Sequence, residues 1–112
     1  MTREQLEAFR HVPFLVWVKD AEWRYLWGND KIAELAGEDV VGKLDGELVW
    51  KETAGALVAH DKAVFSSGTA GYMHERVEES LYGNASLSVC KWVEEFDGKP
   101  CVFGISFIIP EA

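Results

Sequence analysis

Few residues in this chain are placed to do chemistry, and the most informative lie on one helical stretch. Residues 53–65 have a helical pattern. At about 100° per residue, Ala54, Leu57, Val58, Val64 and Phe65 form an apolar arc with Asp61 near its middle. A carboxylate there must be hydrogen-bonded or paired, because bare burial would cost several kcal/mol. Two roles stay open for it. Asp61 is a brace accepting backbone or indole N–H bonds, or it contacts a ligand directly. His60 sits at the border of the same arc. The sequence has no GxSxG, no P-loop, no HExxH and no supported carboxylate pair. The other acidic residues are scattered, and solvated surface positions are expected for them. The domain itself is therefore not expected to be an enzyme.

The two cysteines, Cys90 and Cys101, have neither CxxC spacing nor a nearby His pair, so no metal site is expected. They straddle Asp97-Gly98, a strong hairpin signal. With those two residues as the turn, Cys90 faces Ile105 and Cys101 faces Glu94. The sulfurs are then too far apart to bridge. Two free buried thiols are expected, consistent with a reducing compartment.

These residues need a scaffold, and 112 residues with 48% hydrophobic content suffice for one packed core. The net charge of −8 makes nucleic acid and anionic membrane surfaces poor partners. No apolar run reaches bilayer length, and MTREQLEAFR lacks the apolar core of a signal peptide. A cytoplasmic setting is expected, with no membrane contact by this domain.

Thr2 and Gln5 have capping-box spacing for a first helix that carries Leu6 and Phe9 on one side. Pro13 ends it. Residues 14–18, FLVWV, read as a strand buried on both faces. Residues 24–28 follow as a hairpin partner. Asn29 caps a helix that Gly37 stops. Gly42 and Gly46 mark brief helical turns, and the long helix ends before Gly68. Three strands follow, over residues 69–79, 86–96 and 101–109. Strands at both ends of a helical middle predict an α+β fold with one antiparallel sheet.

That order, with its local motifs, resembles the PAS family, above all the members placed before histidine kinases and cyclic-di-GMP enzymes. VWVKD (16–20) resembles the first strand and its closing aspartate, Asp20. RYLWGND (24–30) resembles the second strand and the usual Asn, here Asn29. IAELAG (32–37), VGKLDGEL (41–48), HDKAVFSSG (60–68) and SVCKWVEEFDGKP (88–100) resemble the remaining pieces. The likeness covers residues 13–109. It implies a five-stranded antiparallel sheet with helices on one face and an N-terminal cap helix over residues 1–12. Two positions depart from the pattern. Trp23 stands where the first hairpin usually has Gly. The end reads Phe107-Ile108-Ile109-Pro110-Glu111 where Asp-Ile-Thr often leads to the output helix.

The resemblance also implies a function. The chain is expected to be a sensory or dimerising module of a bacterial or archaeal histidine kinase or diguanylate cyclase. A small molecule would bind between sheet and helices, lined by Trp27, Asp61, Tyr72, His74, Cys90, Trp92 and Ser106. Few basic residues point inward, so that ligand is expected to be neutral or cationic. The competing reading is a ligand-free interaction domain whose aromatics are plain core. A third is a haem-based sensor, because haem-binding members place their ligating His on the helix that here carries His60. The helical wheel opposes it, since Asp61 points inward better than His60. The flavin-binding motif of light-sensing members is missing, and no cofactor is expected. FLVWV and the last two strands look too apolar to meet water on their outer face. The first helix covers part of that face, and a second copy, giving a homodimer, is expected to cover the rest.

Overall fold

A computed structural model of the chain describes residues 1–80 and 83–109. The elements follow the expected order: α1 (Arg3–Glu7), β1 (Leu15–Lys19), β2 (Tyr25–Gly28), α2 (Asp30–Ala36), two 3-10 turns (Asp45–Glu47 and Lys51–Thr53), α3 (Ala54–Ser67), β3 (Gly71–Ser80), β4 (Gly83–Phe96) and β5 (Lys99–Ile109). The five strands form one antiparallel sheet in the order β2-β1-β5-β4-β3. The helices and 3-10 turns pack on its inner face, and the N-terminal segment lies on the outer face.

Local chemistry accounts for the element boundaries. Thr2 and Gln5 form the capping box of α1. The helix is only five residues long, shorter than the expected cap helix. After it the chain continues in i to i+3 turns, from Leu6 to Phe9 and from Glu7 to Arg10. The Asn29 side chain is buried and fully used. Its Oδ1 accepts from Val16 N and Ile32 N, and its Nδ2 donates to the carbonyls of Phe9 and Phe14. One side chain thus ties the cap segment, β1 and α2 together. Asp20 Oδ1 accepts from Glu22 N and Arg24 N and shapes the first hairpin. Gly37 and Gly68 end α2 and α3 in the left-handed region, at φ of 77° and 67°.

The last hairpin turns at Asp97-Gly98, both with positive φ. Its register sets Cys90 opposite Ile105 and Cys101 opposite Glu94, and both thiols are free. Trp92 stacks on Phe103 with ring centroids 5.8 Å apart. Trp23 takes a left-handed φ of 71°, a conformation that is strained for a bulky residue. Its ring meets Phe65 of α3 edge-on at 5.8 Å, which fastens the first hairpin to the long helix. Ile109 ends β5, and Pro110 and Glu111 of the altered C-terminal motif lie outside the described residues.

One inner-face row shows how tightly the core is filled. Across the sheet, Trp17 pairs with Gly28 on one side and Gly104 on the other, and Gly104 pairs with Lys91. The Trp17 indole lies on Gly104. A Cβ there would stand 2.3 Å from two ring carbons. Gly104→Ala is therefore expected to destabilise the fold by about 2 kcal/mol through overpacking. Urea unfolding measures this, and an unchanged midpoint would mean that the ring has room to shift.

Candidate functional site

A strand side chain points to the face opposite its neighbour's, and the register decides which face is inner. On the inner face β1 presents Leu15, Trp17 and Lys19, β3 presents Met73, Glu75 and Val77, β4 presents Val89 and Lys91, and β5 presents Gly104 and Ser106. On α3, Leu57, Asp61 and Val64 are the buried residues, at a spacing that shares one side. Two of the inward strand residues are lysines. Three carboxylates meet them: Asp45 from the first 3-10 turn, Asp61 from α3 and Glu75 from β3.

The contacts form one connected chain. Lys19 Nζ donates to Asp45 Oδ2 at 2.5 Å and to Asp61 Oδ2 at 2.6 Å. Lys91 Nζ donates to Asp61 Oδ1 at 2.9 Å, to Glu75 Oε2 at 2.7 Å and to the Leu57 carbonyl. Asp45 Oδ1 also accepts from the Tyr25 hydroxyl and the Trp50 indole N–H. At the other end, His60 Nδ1 lies 2.7 Å from Glu75 Oε2. The side chains of Lys19, Asp45, Asp61, Lys91 and Glu75 are at most 4% exposed, whereas that of His60 is 34% exposed.

Burial and charge act against each other in this chain. Burial pulls the Lys19 ammonium down, but the charges of Asp45 and Asp61 outweigh it, and the group titrates above its ordinary value. Burial pushes Asp45 up, yet the Lys19 charge and the bonds from Lys19, Trp50 and Tyr25 bring it below the usual carboxylate value. Burial, then the Asp45 charge, raise the Tyr25 hydroxyl well above normal. A raised lysine adds stability below its unfolded value and loses it as pH rises through the raised one. A lowered carboxylate adds stability above its unfolded value and loses it as pH falls through the lowered one. Lys19 and Asp45 therefore both stay charged throughout the neutral range.

The network gives Asp61 a definite role. It braces α3 against β1 and β4, and its partners are ammonium groups where backbone or indole N–H donors were expected. The indole bond goes to Asp45 instead. Reading the other acidic residues as solvated charge fails for Asp45 and Glu75, because each meets a cation from another element. The expected strand ends at residue 18; β1 runs one residue further, to Lys19, and buries it.

Of the residues expected around an inner pocket, only Asp61 and Ser106 face inward. Trp27 packs on the outer face with Leu6 and Phe103, under Arg10, and donates to Glu7. Trp92 lies on that face too, and its indole donates to Glu94. Tyr72, His74 and Cys90 share the same outward phase, and Tyr72 is 78% exposed. The physical reason is the period of two. Tyr72 pairs with Cys90 and His74 with Ser88, while Glu75 and Lys91 take the alternate, inward positions.

The inner face also holds a small apolar cavity of about 20 Å³, lined by Leu15, Trp17, Tyr25, Trp50, Glu75 and neighbouring aliphatics. That is space for about one water. Two fully buried polar atoms on this face, Trp17 Nε1 and Ser106 Oγ, have no hydrogen-bond partner among the described residues. Haem does not fit these residues. The inner cavity is far smaller than a porphyrin. Among the described residues no cluster of His, Cys, Asp and Glu could hold a metal ion.

No family model and no curated protein sequence matches the chain. Solved structures do. A Vibrio cholerae VqmA dimer, described in the absence of its target DNA, is 18% identical with a TM-score of 0.81 over 98% of this chain and 52% of its own. VqmA bound to DPO is 19% identical with a TM-score of 0.81, over 97% of this chain and 58% of its own. The PAS domain of an HTR-like protein from Haloarcula marismortui is 22% identical with a TM-score of 0.74, over 95% of this chain and 90% of its own. The chain thus spans little more than half of the VqmA chains. At these identities the likeness is one of fold, and it agrees with the strand order, the helical layer and the cap: the chain has the PAS fold.

Proposed function

We propose that this PAS-fold chain is a sensory and dimerising module of a larger signalling protein, and that it is not itself catalytic. Its parent is a histidine kinase or diguanylate cyclase. The VqmA likeness supports a DNA-binding regulator as a second kind of parent, so the acidic charge of this domain does not exclude nucleic acid from the whole protein. The setting is cytoplasmic, in keeping with two free thiols. No helix among the described residues is long and apolar enough to cross a membrane.

One observation carries the sensory reading: Trp17 Nε1 and Ser106 Oγ are buried without protein partners on the face where helices meet sheet. Unpaired buried polar groups are costly, and a ligand atom that pairs with them recovers that cost. Both can donate, so the ligand presents a hydrogen-bond acceptor. It is small and neutral or cationic, because both inward ammonium groups are already engaged by carboxylates. Binding shifts the packing of strands and helices and so the relation between two output domains. Native mass spectrometry of the freshly purified chain is expected to find such a molecule retained. An anionic adduct, or a bare protein mass under every condition, would count against the reading.

The cavity of about 20 Å³ favours a second reading, a ligand-free interaction domain with a filled core. Both readings share the dimer. The cap segment covers Phe103 and Phe96, but Phe107 is 53% exposed and Tyr72 more so on the same face. A second copy meeting α1 and this uncovered area would bury them. Sedimentation is expected to show a dimer at high micromolar concentration; a strict monomer there would refute it.

A further inference from the structure

The buried network has an uneven charge count. Two ammonium groups, Lys19 and Lys91, face three carboxylates, Asp45, Asp61 and Glu75, which leaves one net negative charge in the core. Buried charge without a counter-charge is unfavourable. Among the described residues, one further ionisable group capable of carrying positive charge touches this network, and it stands where the network reaches solvent. It is His60, whose Nδ1 meets Glu75 Oε2.

The chemistry of that contact is specific. An ionised carboxylate only accepts, so the His60 Nδ1 carries the hydrogen and donates it to Glu75. The other ring nitrogen, Nε2, is then the atom that exchanges a proton with water, and the partly exposed side chain lets it do so. Protonation there leaves the Nδ1 bond intact. It adds one positive charge, which brings the network to zero.

We propose that His60 is a proton-operated latch, which fastens α3 to β3 when its ring is charged and loosens that edge of the helical layer when it is neutral. It rests on the His60–Glu75 contact and not on a ligand at Trp17 and Ser106, although Glu75, Tyr25 and Trp50 also line the cavity beside Trp17. Among the described residues the surroundings supply no competing partner. Glu75 is the titratable group of β3 that faces His60, and behind it stands Lys91 of β4. Asp61 and Lys62 flank His60 on α3, with Asp61 turned inward and Lys62 outward. The 3-10 turns packed on α3 bring Asp45, which faces Lys19, Glu47, which pairs with Arg24, and exposed Lys51 and Glu52. The inward positions of β5 bring no charge.

The sign follows from the count. The charged ring favours the folded network, so stability is highest below the histidine range. It falls as the ring loses its proton with rising pH. One coupled proton can change the unfolding constant by at most about tenfold per pH unit.

The test is denaturant unfolding of the full chain between pH 5.5 and 8.5, for the native protein and for His60→Gln. Glutamine keeps a donor toward Glu75 and cannot titrate there. The native unfolding constant is expected to rise by at least about threefold more than that of the variant across this range. His74→Gln, on the exposed outer face, is expected to leave the native slope unchanged. Equal slopes for the native protein and His60→Gln overturn the latch. If His60→Gln does not fold, NMR on the native chain decides. The His60 ring titration and the β3 amide protection of Glu75 must then move together, and protection that ignores the titration refutes the proposal.

Discussion

Lys91→Met is expected to cost about 3–5 kcal/mol of folding stability, the range for breaking a buried ion pair by removing one partner. Methionine fills a similar volume and keeps the aliphatic stem. The loss is electrostatic. Lys91 is 1% exposed and neutralises Asp61 and Glu75 at 2.9 and 2.7 Å, so without it three carboxylates share one remaining ammonium group. Glu75→Gln in the same chain removes one of those charges and is expected to recover part of the loss. Urea unfolding of the two single variants and the double variant measures the coupling. A loss below about 1 kcal/mol for Lys91→Met would place this pair with exposed ion pairs and remove it as a brace.

Trp17→Ala is expected to cost about 3–5 kcal/mol and to open the inner face. The indole lies on Gly104 and bounds the cavity beside Tyr25 and Trp50. Cutting it back joins its volume to that cavity, in a place lined mostly by Leu15, Ile32, Leu35 and Leu57. Apolar space of that kind takes up small aromatic molecules. Millimolar indole is therefore expected to raise the thermal midpoint of Trp17→Ala and to leave the native protein unchanged. No response of the variant would show that the core collapses around the missing ring, and a response of the native protein would show that the closed core already opens.

How these residues come together explains what could be read in advance. The Asp97-Gly98 turn sets the β4–β5 register, because both turn residues favour the left-handed region and a two-residue loop leaves one pairing. The free thiols and the Trp92–Phe103 stack follow from it. Thr2 with Gln5, Asn29, Gly37 and Gly68 mark helix ends by chemistry within a few residues. Asp61 reveals itself by interrupting an apolar arc. The outward placement of Trp27, Tyr72, His74, Cys90 and Trp92 was harder. Alternation shows which residues share a face, but not which of two mixed faces meets the helices. Tyr72 and His74 alternate with Met73 and Glu75, and an aromatic is the more natural core residue of the two sets. Only the buried lysine opposite, Lys91, reverses that choice.

The order of elements, their caps, the last hairpin and the α+β plan are legible in the chain alone, because they depend on neighbours within a few residues. The tertiary structure alone decided the site. Lys19 meets partners 26 and 42 residues away, and Lys91 meets partners 16 and 30 residues away. Apart from Asp61, each of those residues, taken alone, reads as an ordinary surface charge. They become a buried network only when β1, β3 and β4 turn one face toward α3, since a charge can leave water only where its counter-charges already wait.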